Sequence, residues 1–323
     1  MVNAHGERSR VGGLRRIAWL VPASWFAVIS AIRLSALVGL GPPGYDGMLY
    51  RDATLRWLAG GDPWVLRSGD AVFGAPPPTL IAMLPFAALP DSVARAALVG
   101  LGFVSSVWVL RRLRLPWWWL LYPPLVEGMF IANPHVFVVP LLVAGGGPLA
   151  VFVKIYAGPV LALLFRWRSL AVTLGLVLAT LPFLPWALFL ERWPQVNAVL
   201  ASQSRGGLSV LATPWLLPVA IAAAILIGRK RLAWWVVPVF WPYTQWYYAS
   251  MILPAATPLA AMAIAAPVRG ASTLAIVLAV VELAVAQRLA GEPIRTALAA
   301  WRPDPARRPI PAATTDQRAP RPK

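Results

Sequence analysis

Apolar runs separated by short polar breaks follow one another from residue 17 almost to the C-terminus. The first, at 17–40, exceeds the roughly 20 residues a spanning helix needs. It is followed by GPPGYDGMLYRDATLRWLAGGDPWVLRSGDAVFGAPPP (41–78), a polar, turn-rich island holding four of the twelve carboxylates: Asp46, Asp52, Asp62 and Asp70. Further apolar runs lie at 77–89, 92–110, 117–132, 134–146, 148–165, 169–190, 211–228, 233–246, 248–266 and 272–290. Several are short for a span, and Pro85, Pro123, Pro124, Pro134, Pro148 and Pro159 interrupt them. Broken helices survive in a bilayer only when packed against protein or lining a cavity. The pattern predicts an all-α, polytopic membrane helix bundle of about ten or eleven spans, with a large first extracytoplasmic loop. Its expected divisions are a basic cytoplasmic N-terminus (1–16), a membrane bundle (17–290) with outer loops at 41–76 and 191–210, and a disordered Pro/Arg-rich tail (291–323).

Within the island, residues 46–58 lack Gly and Pro after Gly47 and are bounded by Gly44 and Gly60/Gly61. They predict a short helix lying at the membrane interface. On its period Asp46, Tyr50, Ala53 and Trp57 share a face, whereas Asp52 pairs with Arg56 on another.

Composition supports the membrane reading: 59% hydrophobic, 13% charged, mean hydropathy +0.67. The net charge of +17 in a soluble protein would suggest nucleic acid. Here Arg15/Arg16, Arg166/Arg168 and Arg229/Lys230/Arg231 flank apolar runs, which is the pattern of cytoplasmic loops, and no nucleic-acid partner is expected. The chain lacks cysteine and has only His5 and His135, which excludes disulfides and thiolate metal sites and argues against a histidine-built metal centre. No cofactor is indicated; a divalent cation such as Mg²⁺ is compatible with the sequence but not called for by it. Arg33, inside the first run, needs either to snorkel or to find a partner in the bundle. If all six runs from 77 to 190 cross, the loop 191–210 emerges beside the acidic island, but Arg111, Arg112 and Arg114 then fall on the outer face.

The run Asp46-x-x-x-Tyr50-x-x-Ala53, Leu58-x-Gly60-Gly61-x-Pro63-Trp64, Phe73 and Pro76-Pro77-Pro78 resembles the first outer loop of the GT-C glycosyltransferases. It is similar, more narrowly, to glycosyltransferase family 87, the polyprenol-phosphate-sugar-dependent mannosyl- and arabinosyltransferases. Matching segments continue in order: Pro123-Pro124-Leu125-Val126-Glu127-Gly128 with Asn133, Lys154-x-Tyr156, Ser202-Gln203-Ser204 with Gly207-Leu208, and Trp246-x-Tyr248. The family's Gly-Asn-x-Asn stands here as Ala132-Asn133-Pro134-His135, its Lys-x-Tyr-Pro ends in Ala157, and its Trp-x-His is Trp246-Tyr247-Tyr248.

The resemblance implies a multi-pass cell-membrane enzyme of GT-C type with its active site on the extracytoplasmic side. It would move a sugar, mannose or arabinose or another hexose or pentose, from a polyprenyl-phosphate donor to a glycolipid or glycan acceptor, with inversion. Asp46 is the expected general base. Lys154, Arg192 and Arg205 are candidates to meet the leaving phosphate. Tyr50, Glu127, Asn133, Tyr156, Gln203, Ser204, Trp246 and Tyr248 complete the expected substrate site beside membrane lipid. Plainer roles stand beside these: Asp46 as a helix N-cap, a structural pair between Lys154 and Glu127, turn caps at Asn133 and His135, and interfacial anchors at Trp246 and Tyr248. A transporter, with its broken helices and intramembrane charges, or an inactive membrane scaffold are the competing classes.

Overall fold

A computed structural model describes residues 19–65, 72–203 and 207–289. The expected basic N-terminus, the tail 291–323, Asp70, Ser204 and Arg205 lie outside the described residues, as does the side chain of Gln203. All regular structure among the described residues is helical. In order the helices are α1 (Leu20–Leu40), α2 (Tyr45–Leu58), α3 (Pro78–Ala87), α4 (Asp91–Arg112), α5 (Pro123–Ile131), α6 (Val138–Ala144) and α7 (Gly147–Val153). They continue with α8 (Ala157–Leu163), α9 (Trp167–Thr180), α10 (Trp186–Gln203), α11 (Leu217–Ile227), α12 (Arg229–Phe240), α13 (Pro258–Ala265) and α14 (Ala271–Leu289). Three-residue-per-turn segments at Trp117–Leu121, Pro134–Phe137 and Trp246–Ala255 fill the breaks between them.

Three helices, α1, α4 and α14, are long and apolar enough to cross a membrane. A fourth span results if Pro123–Ile131 and Pro134–Ala144, bent by 119°, are taken together. The remaining expected spans are shorter than a bilayer. The chain reverses at the left-handed residue Ala132 (φ +51°) and at Gly145 (φ +91°), and Pro182 and Pro185 flank the break after α9.

Two expectations are corrected here. The apolar run at 169–190 is not one element: α9 stops at Thr180, and α10 occupies most of the predicted loop 191–210. Phe189, Trp193, Val196 and Leu200 recur at helical spacing and pack against the island, while Glu191 and Gln195 stay on the outer side. The second correction concerns Arg111, Arg112 and Arg114. The C-terminal end of α1 leads into α2, and the first turns of α4 pack there, with Leu98 beside Gly47 and Asp91 2.9 Å from Arg51. The N-terminal half of α1 instead meets the residues that follow α4: Phe26 packs tilted on Trp118 and edge-on to Trp119, and Ser30 Oγ donates to the Leu121 carbonyl at 2.8 Å. α1 and α4 therefore run in opposite directions, and the three arginines stand about 33 Å of helix away from the island rather than beside it.

Two apolar cores hold the molecule. The larger joins α1, α5, α8 and α11–α14. A smaller one gathers Tyr50, Trp64, Phe73, Leu80, Leu98 and Phe189 beneath the island. Arg51, buried, fastens α2 to the end of α3 by donating to the carbonyls of Phe86 (2.9 Å) and Leu89 (2.7 Å) at the C-terminal end of that helix. Arg192 on α10 donates to Asp62 at 2.7 Å, and Trp64 Nε1 to Ala75 O at 3.0 Å. The two polar segments expected to share one face are thus in direct contact.

Candidate active site

Asp46 sits in the first turn of α2, where a negative side chain is favoured by the helix dipole. Its N-cap is Gly44 (φ +82°), with no side-chain cap, so Asp46 is not the capping residue. The start of α2 is pressed against the turn after α5: Gly44 N donates to Phe130 O at 2.7 Å, and a Cβ on Gly47 would lie 2.7 Å from Ala132 O. This close approach brings Asn133 to Asp46, with Nδ2 2.5 Å from Oδ2. The same nitrogen donates to the Tyr247 hydroxyl at 3.0 Å. Asn133 Oδ1 accepts from the backbone of His135 at 2.8 Å, so the expected turn cap is present too.

These groups face a cavity of about 510 Å³. Lys154, at the break between α7 and α8, reaches into it, donates to the Tyr50 hydroxyl and lies 4.8 Å from the centre of that ring. Glu127 lines the cavity but is engaged by Arg33, 2.7 Å away, and the expected Lys154–Glu127 pair gives way to these two separate contacts. Arg33 thereby finds its partner in the bundle, and its guanidinium also lies 4.7 Å from the Trp246 ring. Tyr156 and Tyr248 line the wall, packed on His135, which contacts the Tyr156 hydroxyl through Nδ1 and Ser250 Oγ through Nε2 at 2.7 Å.

Asp46, Tyr50, Glu127, Asn133, Lys154, Tyr156 and Tyr248 therefore converge. Arg192 and Trp246 do not. Arg192 is committed to Asp62, and Trp246 donates to Ile264 O at 3.1 Å in the larger core. Asp52, 3.8 Å from Arg51, also lies outside the lining. The positions the sequence reading overlooked are Arg33, Tyr45, Tyr243, Tyr247, Trp193 and Trp241. A shared signal was available for the tyrosines: six of the seven in the chain line this cavity. Among the described residues two tryptophans and no phenylalanine join them, although the chain has seventeen and eleven. A general aromatic belt would recruit tryptophan at least as readily, so the enrichment is for phenol hydroxyls.

Burial pushes the Asp46 carboxyl above its ordinary value, opposed by the hydrogen bond from Asn133 and the charge of Lys154. Burial and the nearby carboxylates raise the Tyr45 phenol to about 12, and burial, with the charge of Asp46, raises Tyr50 well above its ordinary value, so both are neutral hydrogen-bonding groups at physiological pH. The cavity offers one carboxylate held by an amide, one ammonium, and a ring of aromatic hydroxyls.

No family model, curated protein or solved structure matches this chain. The functional reading rests on the chemistry of the cavity and on the ordered motifs.

Proposed function

We propose that the protein is a multi-pass membrane glycosyltransferase that transfers a sugar from a polyprenyl-phosphate donor to a glycolipid or glycan acceptor, with inversion, on the extracytoplasmic side. The observation that carries this reading is the joint presence of Asp46 and six tyrosines around one cavity. Aromatic faces stack on the C–H faces of a sugar ring while their hydroxyls bond its oxygens. Asp46 takes the proton of the acceptor hydroxyl as that oxygen bonds to the anomeric carbon. The bond from the anomeric carbon to the phosphate oxygen breaks on the opposite face, and the leaving lipid phosphate keeps the electron pair. Lys154 stabilises that charge. A double displacement requires two closely placed carboxylates. Glu127 is bound to Arg33 and Asp52 lies outside the lining, which supports a single base.

A lipid-borne donor is supported by α1. Arg33, Leu37 and Leu40 lie on one stripe of this candidate span and line the cavity, and Leu40 is 74% exposed. The lipid chain would lie along that helix with its head group inside. The outward placement is supported by Arg111, Arg112, Arg114, Arg168, Lys230 and Arg231, which are exposed at helix ends away from the cavity.

The test is transfer from radiolabelled polyprenyl-phosphate mannose and arabinose in membranes containing wild type, Asp46→Asn or Asp52→Asn. Loss of a general base costs about 10²- to 10⁴-fold, so Asp46→Asn is expected to fall by that factor and Asp52→Asn to stay near wild type. Wild-type turnover by Asp46→Asn, or equal loss from both, refutes the assignment.

A further inference from the structure

Asn133 is expected from the motifs to bind substrate, but both ends of its side chain are already engaged within the protein. Its amide orientation is fixed from both ends. Oδ1 accepts the His135 backbone N–H at 2.8 Å, which a flipped amide would turn into a clash of two donors. Nδ2 must then point to Asp46 Oδ2 (2.5 Å) and Tyr247 (3.0 Å). The backbone beneath is equally constrained: Ala132 is left-handed, Pro134 follows, and the His135 ring is held by Tyr156 and Ser250. Asn133 is 2% exposed, which leaves little of it for a ligand to touch.

We infer that Asn133 is the positioning residue of the site: it holds Asp46 by Oδ2, so that Oδ1 is the atom that receives the acceptor's proton. This rests on the reading of Asp46 as the base. An amide donor stabilises the ionised carboxylate in a place where burial disfavours it, so the base is kept competent without a cation in direct contact. The other charged or titratable groups acting on Asp46 are Lys154 from the α7–α8 break, Glu127 with Arg33 across the cavity, Tyr45 and Tyr50 on α2, and Tyr247 and Tyr248 on the segment after α12. Changing Asn133 to a small neutral residue leaves the charges of these groups in place; besides the bond to Asp46 it removes the hydrogen bond to Tyr247.

Two measurements on the full-length protein test this. The first follows the titration of the Asp46 carboxyl by infrared difference spectroscopy, wild type against Asp46→Asn, and repeats it in an Asn133→Ala background. Losing a hydrogen bond to the charged form moves the titration upward, by about one to two pH units. The second is the pH–rate profile of sugar transfer, whose acidic limb is expected to move upward by the same amount in Asn133→Ala. Asn133→Ser, which keeps a short donor, should recover part of the shift. An unchanged infrared titration in folded Asn133→Ala overturns the inference. Should Asp46→Asn remain active, the base assignment fails, and the infrared arm still decides whether Asn133 controls Asp46.

Discussion

At the scale of single residues, the cavity separates two kinds of charge. Asp46 is held by a neutral amide, whereas Glu127 is locked to Arg33, and the two should respond differently to change. The Arg33–Glu127 pair is nearly closed to solvent on the Glu127 side, 8% exposed, and half-open at Arg33, 28%. Breaking a buried pair strands a charge at about 3–5 kcal/mol, and the opening at Arg33 places this one near the lower end. Arg33→Met alone should therefore lower the thermal midpoint in detergent clearly, whereas Arg33→Met with Glu127→Met should recover most of the loss. Equal melting of the single and double variants would show the two residues to be uncoupled. Asp46 predicts a pH effect instead. Its carboxyl is raised by burial, so it keeps its proton to a higher pH than the usual value of about 3.9, and activity requiring the ionised form is lost as pH falls through the raised value. The acidic limb of the pH–rate profile should lie above pH 4; a limb at or below it would contradict the burial of the base. Helical spacing put Asp46 and Tyr50 on one face, and the ordered motifs singled them out as site residues. Arg33 was legible as a problem, an arginine inside an apolar run, but its partner lies 94 positions away and no local pattern points to it.

At the scale of elements, the short helix of the island was visible in its glycine boundaries and its freedom from proline. α10 was not, because its polar residues read as a loop although its apolar ones kept a helical period; it is a helix lying on the island, with one face only to bury. The reversal at Ala132 also escapes the sequence, since alanine carries no preference for a left-handed backbone. Yet the site hangs on that reversal and on the glycine facing it. Gly47→Ala places a methyl 2.7 Å from a backbone carbonyl that cannot step aside, and overpacking of this kind costs about 1–3 kcal/mol. Transfer and thermal stability should fall together. Gly39→Ala, in α1 with nothing within 4 Å of the new carbon, should be neutral or stabilising by up to about 1 kcal/mol. If Gly47→Ala behaves like Gly39→Ala, α2 is not seated on the Ala132 turn.

At the scale of the whole molecule, three helices, or four spans with the bent pair, are long and apolar enough to cross a membrane where counting runs predicts ten or eleven, and the arginine cluster lies at the far end of α4 from the island. A run of 10–14 apolar residues can bury itself against protein without spanning anything, and hydropathy does not distinguish the two cases. The corrected arrangement predicts a labelling pattern. In a chain free of cysteine, Ala59→Cys and Ala198→Cys should react from the same side of sealed vesicles, and Arg112→Cys from the other. Reaction of Arg112→Cys together with Ala59→Cys would restore the original count.

The separation of the exposed arginines from the cavity end also has an energetic consequence for orientation. A resting membrane potential, negative inside, holds each positive charge on its inner side with roughly 2.3 kcal/mol per 100 mV. A molecule inserted upside down would have to keep six such charges, Arg111, Arg112, Arg114, Arg168, Lys230 and Arg231, on the unfavourable side. If the cavity opens outward as proposed, the energised membrane would itself oppose inversion, in addition to the route of insertion.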